Sequence, residues 1–327
     1  MPRLRLSMAC WDYDRSRPLL DGSIEPQGIE LIPVVMPPGE LFSRMWRHKE
    51  FDVSEMSFGD YCVMTARGES PFIAIPVFPS RIFRHSCIYV NAHAGISSPE
   101  DLRGKRIGAP FYQMTAAVFA RAALHHDFDV TPESVHWFWG GQEEPGARER
   151  IPLNLPPNIK LDAIPPEKTL SAMLDGGELD ALITPNFPSP FLRGSPNVRR
   201  LFPDFAQVER DYYGRTGIFP IMHTLVINNE VYAQHPWVAD SLFNAWVRAK
   251  DIAYRELYET DALKLTLPWV VSEVEEMRTL MGDDFWPYGI KANKTVLGAF
   301  SQYVVEQGLV DRPLQAQDLF APNTLDT

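Results

Sequence analysis

Cysteine is scarce. Cys10, Cys62 and Cys87 are odd in number, lack C-x-x-C spacing and each sits in an apolar stretch. Buried thiols in a reducing compartment are therefore expected, not disulfides or zinc ligands. No apolar run approaches the ~20 residues needed to span a bilayer. No leader with an apolar core and a small-residue cleavage site precedes the strand-like pattern that begins at Met1-Pro2-Arg3-Leu4, so a cytoplasmic protein is expected. Basic residues are in deficit: 31 Lys and Arg against 42 Asp and Glu leave a net charge of -11, which disfavours nucleic acid and anionic membranes as partners. No G-x-G-x-x-G follows a strand, so neither nicotinamide nor flavin is expected. There is no H-x-H or H-E-x-x-H pair, and His125 and His126, adjacent on a helix, are expected to face different directions. No cofactor and no metal is predicted, although ligands drawn from distant loops, for instance Asp12, Glu55 and His85, would leave no such signature.

With 327 residues, 45% of them hydrophobic, the chain can bury a sizeable core, and its length favours two domains. Short apolar segments alternate with helical patterns, which means α/β layering. Leu4 to Cys10, Ile29 to Met36, Phe72 to Phe78, Arg106 to Ala109, Val135 to Trp139 and Ala181 to Thr184 read as strands. Gly39 to Arg47, Phe58 to Arg67, Thr115 to His126 and Lys168 to Leu174 read as helices. Prolines are densest from Ile151 to Pro166, which predicts a long surface loop. Pro236 to Tyr258, Ser272 to Met281 and Asn293 to Gln307 are helical patterns with few strands among them, and need a sheet to cover. The economical topology has the chain leave a first lobe near His85 to Asn91, build an inserted second lobe, and return along Ile221 to Ile227. Residues 1–88 plus 224–327 then make lobe I and 89–223 lobe II, each a mixed sheet flanked by helices, with ligand expected at strand ends in a cleft between lobes.

Arg81-Ile82-Phe83-Arg84-His85-Ser86 places two guanidiniums and an imidazole within six residues. Arg offers a planar fork that fits a carboxylate, and His carries a proton near neutral pH, so this segment suits an anionic small molecule; a solvated rim paired with acidic residues would have the same sequence. Other strand-end segments offer candidate walls: Trp11-Asp12-Tyr13-Asp14-Arg15, with an aromatic face, carboxylates and a cation; Ser54 and Ser57, which either cap a helix or bind ligand; and Tyr112 to Thr115, ahead of a helix N-terminus. Trp139 and Asn186 close further strand ends.

Trp11 to Arg15, Ser54 to Tyr61, Pro79 to Ser86, Leu102 to Pro110, His136 to Gly141 and Gly217 to Thr224 together resemble the 4,5-dihydroxyphthalate decarboxylase family of phthalate-degrading bacteria, over residues 4 to about 320. That family is similar in turn to type II periplasmic solute-binding proteins. The resemblance implies a two-lobed type II periplasmic-binding-protein-like fold and loss of one carboxylate from 4,5-dihydroxyphthalate, giving 3,4-dihydroxybenzoate and carbon dioxide. Such a reaction needs a proton donor at the carboxylate-bearing carbon, an acceptor at the para hydroxyl and a clamp for the remaining carboxylate. Chemistry assigns the donor to His85, with His223 as runner-up, and the acceptor to Asp14 or Glu55. Arg81 and Arg84 are assigned to the carboxylates, Arg15, Ser54, Ser57, Thr115 and Asn186 to polar contacts, and Trp11, Tyr112 and Trp139 to the ring. The rival reading is a binding protein or sensor for an aromatic carboxylate, with the same walls and no chemistry. The exposed faces of the C-terminal helices would suit a homo-oligomer.

Overall fold

A computed structural model describes residues 3–146 and 151–327; Met1 and Pro2, where the first strand-like pattern begins, lie outside the described residues. In chain order the strands are β1 (Leu4–Cys10), β2 (Ile29–Val35), β3 (Val53–Ser57), β4 (Phe72–Ile75), β5 (Ile88–Asn91), β6 (Arg106–Ala109), β7 (His136–Trp139), β8 (Lys160–Ala163), β9 (Ala181–Ile183), β10 (Val198–Arg200) and β11 (His223–Asn228). They form two sheets in two compact units. The first unit comprises Met1–Arg81, Ile221–Leu297 and Leu314–Thr327, and the second Ile82–Pro220 and Gly298–Pro313.

In the first unit the sheet order is β2-β1-β3-β11-β4. β1 pairs parallel with β2 and β3, whereas β11 runs antiparallel to both β3 and β4. Helices cover the sheet: Pro38–His48 buries Leu41, Phe42 and Met45, and Val238–Leu257 buries Val238, Leu242, Ala245, Trp246 and Ala249, at the three- and four-residue spacing of one helix face. β3 was not among the expected strands. All five of its residues are buried, so Val-Ser-Glu-Met-Ser shows no inside-outside alternation to read.

The second unit's sheet has the order β10-β5-β9-β6-β7-β8, in which β9, β6, β7 and β8 are parallel and β5 is antiparallel to β9 and β10. The expected long loop at 151–166 contains β8, paired with β7 from His136↔Lys160 to Trp139↔Ala163. Its prolines flank this edge strand and none lies within it, so no ladder hydrogen bond is lost. Gly140 follows β7 where a Cβ would stand 2.3 Å from Ile164 Cγ1, so any larger residue there would have to displace the Ile164 side chain.

Gly298–Pro313, expected in the first lobe with the other C-terminal helices, belongs to the second unit instead. The reason is packing specific to this stretch. Phe300 and Tyr303 contact Phe119 at ring-centroid distances of 5.2 and 6.0 Å, and buried Arg121 donates from Nε to Gln307 Oε1 at 2.8 Å. All three cysteines are buried and free, as expected, and burial pushes the Cys87 thiol up to about 11. No helix among the described residues is long and apolar enough to cross a membrane.

Candidate active site

β11 returns alongside β3 with His223 opposite Ser57 and Leu225 opposite Glu55. Residues two apart on a strand share a face, so Glu55 and His223 are diagonal neighbours on one face although 168 residues separate them. The imidazole Nδ1 lies 2.5 Å from Glu55 Oε1. The Tyr13 hydroxyl donates to the same oxygen at 2.6 Å, and the Trp11 N–H to Oε2 at 3.0 Å. Glu55 is fully buried, which alone would raise its pKa; the hydrogen bond and charge of His223, then Tyr13 and the Trp11 N–H, outweigh burial and hold the carboxyl below its ordinary value. An ionised carboxylate only accepts, so Nδ1 donates and Nε2 is the nitrogen left for chemistry. Phe42 meets the imidazole edge-on at 4.9 Å and helps to fix its plane.

The loop after β1 completes this network. Buried Ser16 accepts from the Tyr13 N–H at 2.9 Å and donates to Trp11 O at 2.8 Å, which sets the turn that carries Trp11, Tyr13 and Arg15. Burial, with the Glu55 charge beside it, pushes the Tyr13 phenol far above its ordinary value and keeps it a donor. The Arg15 guanidinium lies between two rings, its Cζ 4.3 Å from the Tyr13 centroid and 4.0 Å from that of Trp286. Nε donates to Pro79 O at 2.6 Å and Nη1 to Asp14 Oδ1 at 2.9 Å. Two rings and two hydrogen bonds thus hold a planar cation whose Nη2 has no partner among the described residues. Trp11 remains 39% exposed, which leaves an aromatic surface beside the carboxylate-imidazole pair.

Trp11, Asp14, Arg15, Glu55 and His223 are therefore brought together, and Tyr13, Phe42 and Trp286 join them without having been singled out. For Tyr13 the available signal was its place in the segment Trp11 to Arg15. Other expected residues are occupied differently. Arg81 is buried and donates from Nη1 to Pro287 O at 3.1 Å and Asn293 Oδ1 at 2.7 Å, so it ties down a turn. Ser54 donates to Glu55 O, and Ser57 caps the Phe58–Ala66 helix by accepting from the Asp60 N–H. Asp12 pairs with Arg17.

Arg84, His85, Tyr112, Thr115, Trp139 and Asn186 belong to the second unit. Tyr112 is core there, 1% exposed beneath Arg121, whose Cζ is 3.8 Å from the ring; Thr115 is also buried. Trp139 ends β7, and Asn186 is exposed, its N–H donating to Thr184 Oγ1 at 3.3 Å. Burial lowers the pKa of the half-buried Arg84 guanidinium.

His85, the expected proton donor, lies between Phe202 and Tyr212 at 5.5 and 5.1 Å, and neither ring nitrogen has a hydrogen-bond partner among the described residues. Burial lowers its pKa to about 4. At neutral pH it is uncharged and has no imidazolium proton to give. The same shift makes it an acid-lability device: unfolding lets it take up a proton below its ordinary 6.5, so its contribution is complete above that value and is lost as pH falls through 4. About 3 kcal/mol rides on this group. Urea unfolding at pH 7 and pH 4 should therefore show His85→Leu losing less stability on acidification than the native chain; equal losses would contradict the assignment.

Among the described residues, His125, His126 and Glu306 form a group with metal-ligand reach. The expected divergence of the two histidines is thus corrected: both imidazoles turn to one carboxylate at the ends of their helices.

No family model matches the chain. A 4,5-dihydroxyphthalate decarboxylase from Comamonas testosteroni is 42% identical over 327 residues, covering 100% of this chain and 99% of the relative. One from Pseudomonas putida is 46% identical over 213 residues, covering 65% and 83%. Among solved structures, the periplasmic sulfonate-binding protein SsuA from Methylobacillus flagellatus superposes with a TM-score of 0.54 at 14% identity, covering 99% of this chain and 93% of that one. SsuA from Escherichia coli gives 0.52 at 12%, with 100% of both chains covered, and the desulfurization enzyme DszB gives 0.51 at 14%, with 99% and 98% covered. These three show the fold, a type II periplasmic-binding-protein-like architecture of two mixed sheets flanked by helices.

Proposed function

Because the chain belongs to the 4,5-dihydroxyphthalate decarboxylase family, and so is a carboxy-lyase, we propose that it removes one carboxylate from 4,5-dihydroxyphthalate to give 3,4-dihydroxybenzoate and carbon dioxide, with His223 as proton donor. The observation that carries this reading is the buried Glu55–His223 pair beside a ring-clamped Arg15. Each carboxylate of the substrate lies para to a hydroxyl. Direct departure of carbon dioxide would leave an aryl carbanion. The easier route adds a proton from His223 Nε2 to the carboxylate-bearing carbon while the para hydroxyl gives up its own proton and becomes a ring carbonyl. The carbon–carbon bond then breaks, its electron pair restores the aromatic ring, and the resulting phenolate takes a proton back.

Glu55 supports this step by stabilising the imidazolium through Nδ1, as a buried carboxylate does for any histidine acting as acid. Arg15 holds the carboxylate that stays, since a guanidinium on the departing one would stabilise the ground state more than the transition state. Trp11 offers its face to the ring, and Asp14, whose Oδ1 already takes the Arg15 Nη1–H, is the candidate acceptor for the catechol hydroxyls.

The test is direct. Chelator-treated protein is given 4,5-dihydroxyphthalate, and 3,4-dihydroxybenzoate and carbon dioxide are followed with and without restored divalent metal. Product without metal is expected. Product only with metal would overturn the proton-transfer scheme, and tight binding without product in either case would favour the receptor reading.

A further inference from the structure

We propose that His125, His126 and Glu306 form a binding site in the second unit for zinc or another late first-row divalent cation. The two histidines occupy the last turn of the Thr115–Phe128 helix, and Glu306 is the last residue of the Lys294–Glu306 helix. Glu306 Oε2 lies 2.8 Å from His126 Nε2 and 3.8 Å from His125 Nδ1, and the three ligand atoms all fall within 4.8 Å of one another. Tetrahedral zinc with bonds of 2.0–2.1 Å holds its ligand atoms about 3.3 Å apart. The separations here bracket that value, so a cation needs side-chain adjustments alone: the His126–Glu306 hydrogen bond opens and His125 closes.

Neighbouring groups orient these ligands as the surroundings of a metal site do. Gln302 Nε2 donates to Glu306 Oε1 at 2.6 Å and leaves Oε2 for the cation. The His126 ring lies against Tyr303 at 5.2 Å, and the two imidazoles stack at 4.8 Å with 29° between their planes. Two imidazoles and one carboxylate select zinc, nickel or copper over magnesium or calcium. Side-chain exposures of 25–37% give solvent access to a fourth position.

The site also lies on a seam that needs holding. Glu306 adjoins Gln307, the partner of buried Arg121, so a cation here would fasten the Gly298–Pro313 stretch to the Thr115–Phe128 helix one residue from that hydrogen bond. The role is structural and does not rest on the decarboxylase reading.

Tag-free protein stripped with chelator and titrated calorimetrically with zinc chloride should bind one zinc per chain with micromolar affinity. Its melting temperature should rise with zinc, fall back with chelator and ignore magnesium. Glu306→Gln and His125→Asn should each weaken binding at least about tenfold. His125→Asn leaves the His126–Glu306 hydrogen bond in place and carries the comparison if Glu306→Gln does not fold. Millimolar or weaker binding by the native chain, or unchanged affinity in His125→Asn, would overturn the site.

Discussion

Replacing His223 with asparagine should lower kcat by about 10³-fold while substrate affinity changes less than about threefold. The choice of asparagine matters. Removing the whole side chain would leave the fully buried Glu55 carboxylate without its strongest partner, at a cost of about 3–5 kcal/mol, and loss of activity would then report unfolding. An asparagine amide nitrogen reproduces the position of Nδ1 and can still donate to Glu55 Oε1, so the variant keeps that hydrogen bond while losing Nε2 and the rest of the ring. Retained folding with lost turnover would assign the proton transfer to that nitrogen. A kcat within tenfold of the native value would remove His223 from the chemistry. Glu55→Gln supplies the companion measurement: it preserves shape, removes the charge that stabilises the imidazolium, and lets Nδ1 accept from the amide, which turns Nε2 into a neutral donor. Its kcat should fall by a similar order, and a kcat near the native value would show that the Glu55 charge is not needed for the proton transfer.

Arg15→Lys should reduce kcat/KM by roughly 100-fold, most of it through KM. A charge-assisted hydrogen bond to a carboxylate contributes about 1.5–3 kcal/mol, and a lysine keeps the charge while losing the planar guanidinium and its stacking between Tyr13 and Trp286. A diagnostic control is phthalate, which has both carboxylates and neither hydroxyl. Its inhibition constant should rise by the same factor as KM if Arg15 holds a carboxylate. If KM rises while phthalate inhibition is unchanged, Arg15 acts on the hydroxyl side of the ring and the clamp must be another cation.

Much of this was open to reading from residue order, and the failures share a cause. β1 and β6 were legible to the residue because apolar positions bounded by turn residues have one reading. β3 was not, because a strand buried on both faces that carries Ser54, Glu55 and Ser57 looks polar until its partners are known. The same blindness hides the burial of His85. Arg84 and His85 draw attention through adjacency, yet adjacency says nothing of burial, and burial leaves His85 neutral. Glu55 and His223 have no local signature at all, since sheet register alone makes them neighbours. Gly298–Pro313 was assigned to the wrong lobe for a related reason: a helix's apolar face shows that it packs, and what it packs on is decided by partners such as Arg121 and Phe119, far away in sequence.

That late contribution has a bearing on how the chain matures on the ribosome. Ile82–Pro220 holds every strand of its sheet, but Arg121 is buried with its Nε committed to Gln307, and Tyr112 donates to Gln307 O. Roughly 90 residues must be translated after Pro220 before that partner exists, which at about 5–20 residues per second is on the order of 5–20 s. Through this interval the Arg121 Nε and the Phe119 ring lack the Gln307, Phe300 and Tyr303 that cover them in the finished unit, a waiting state whose exposed core a chaperone would shield.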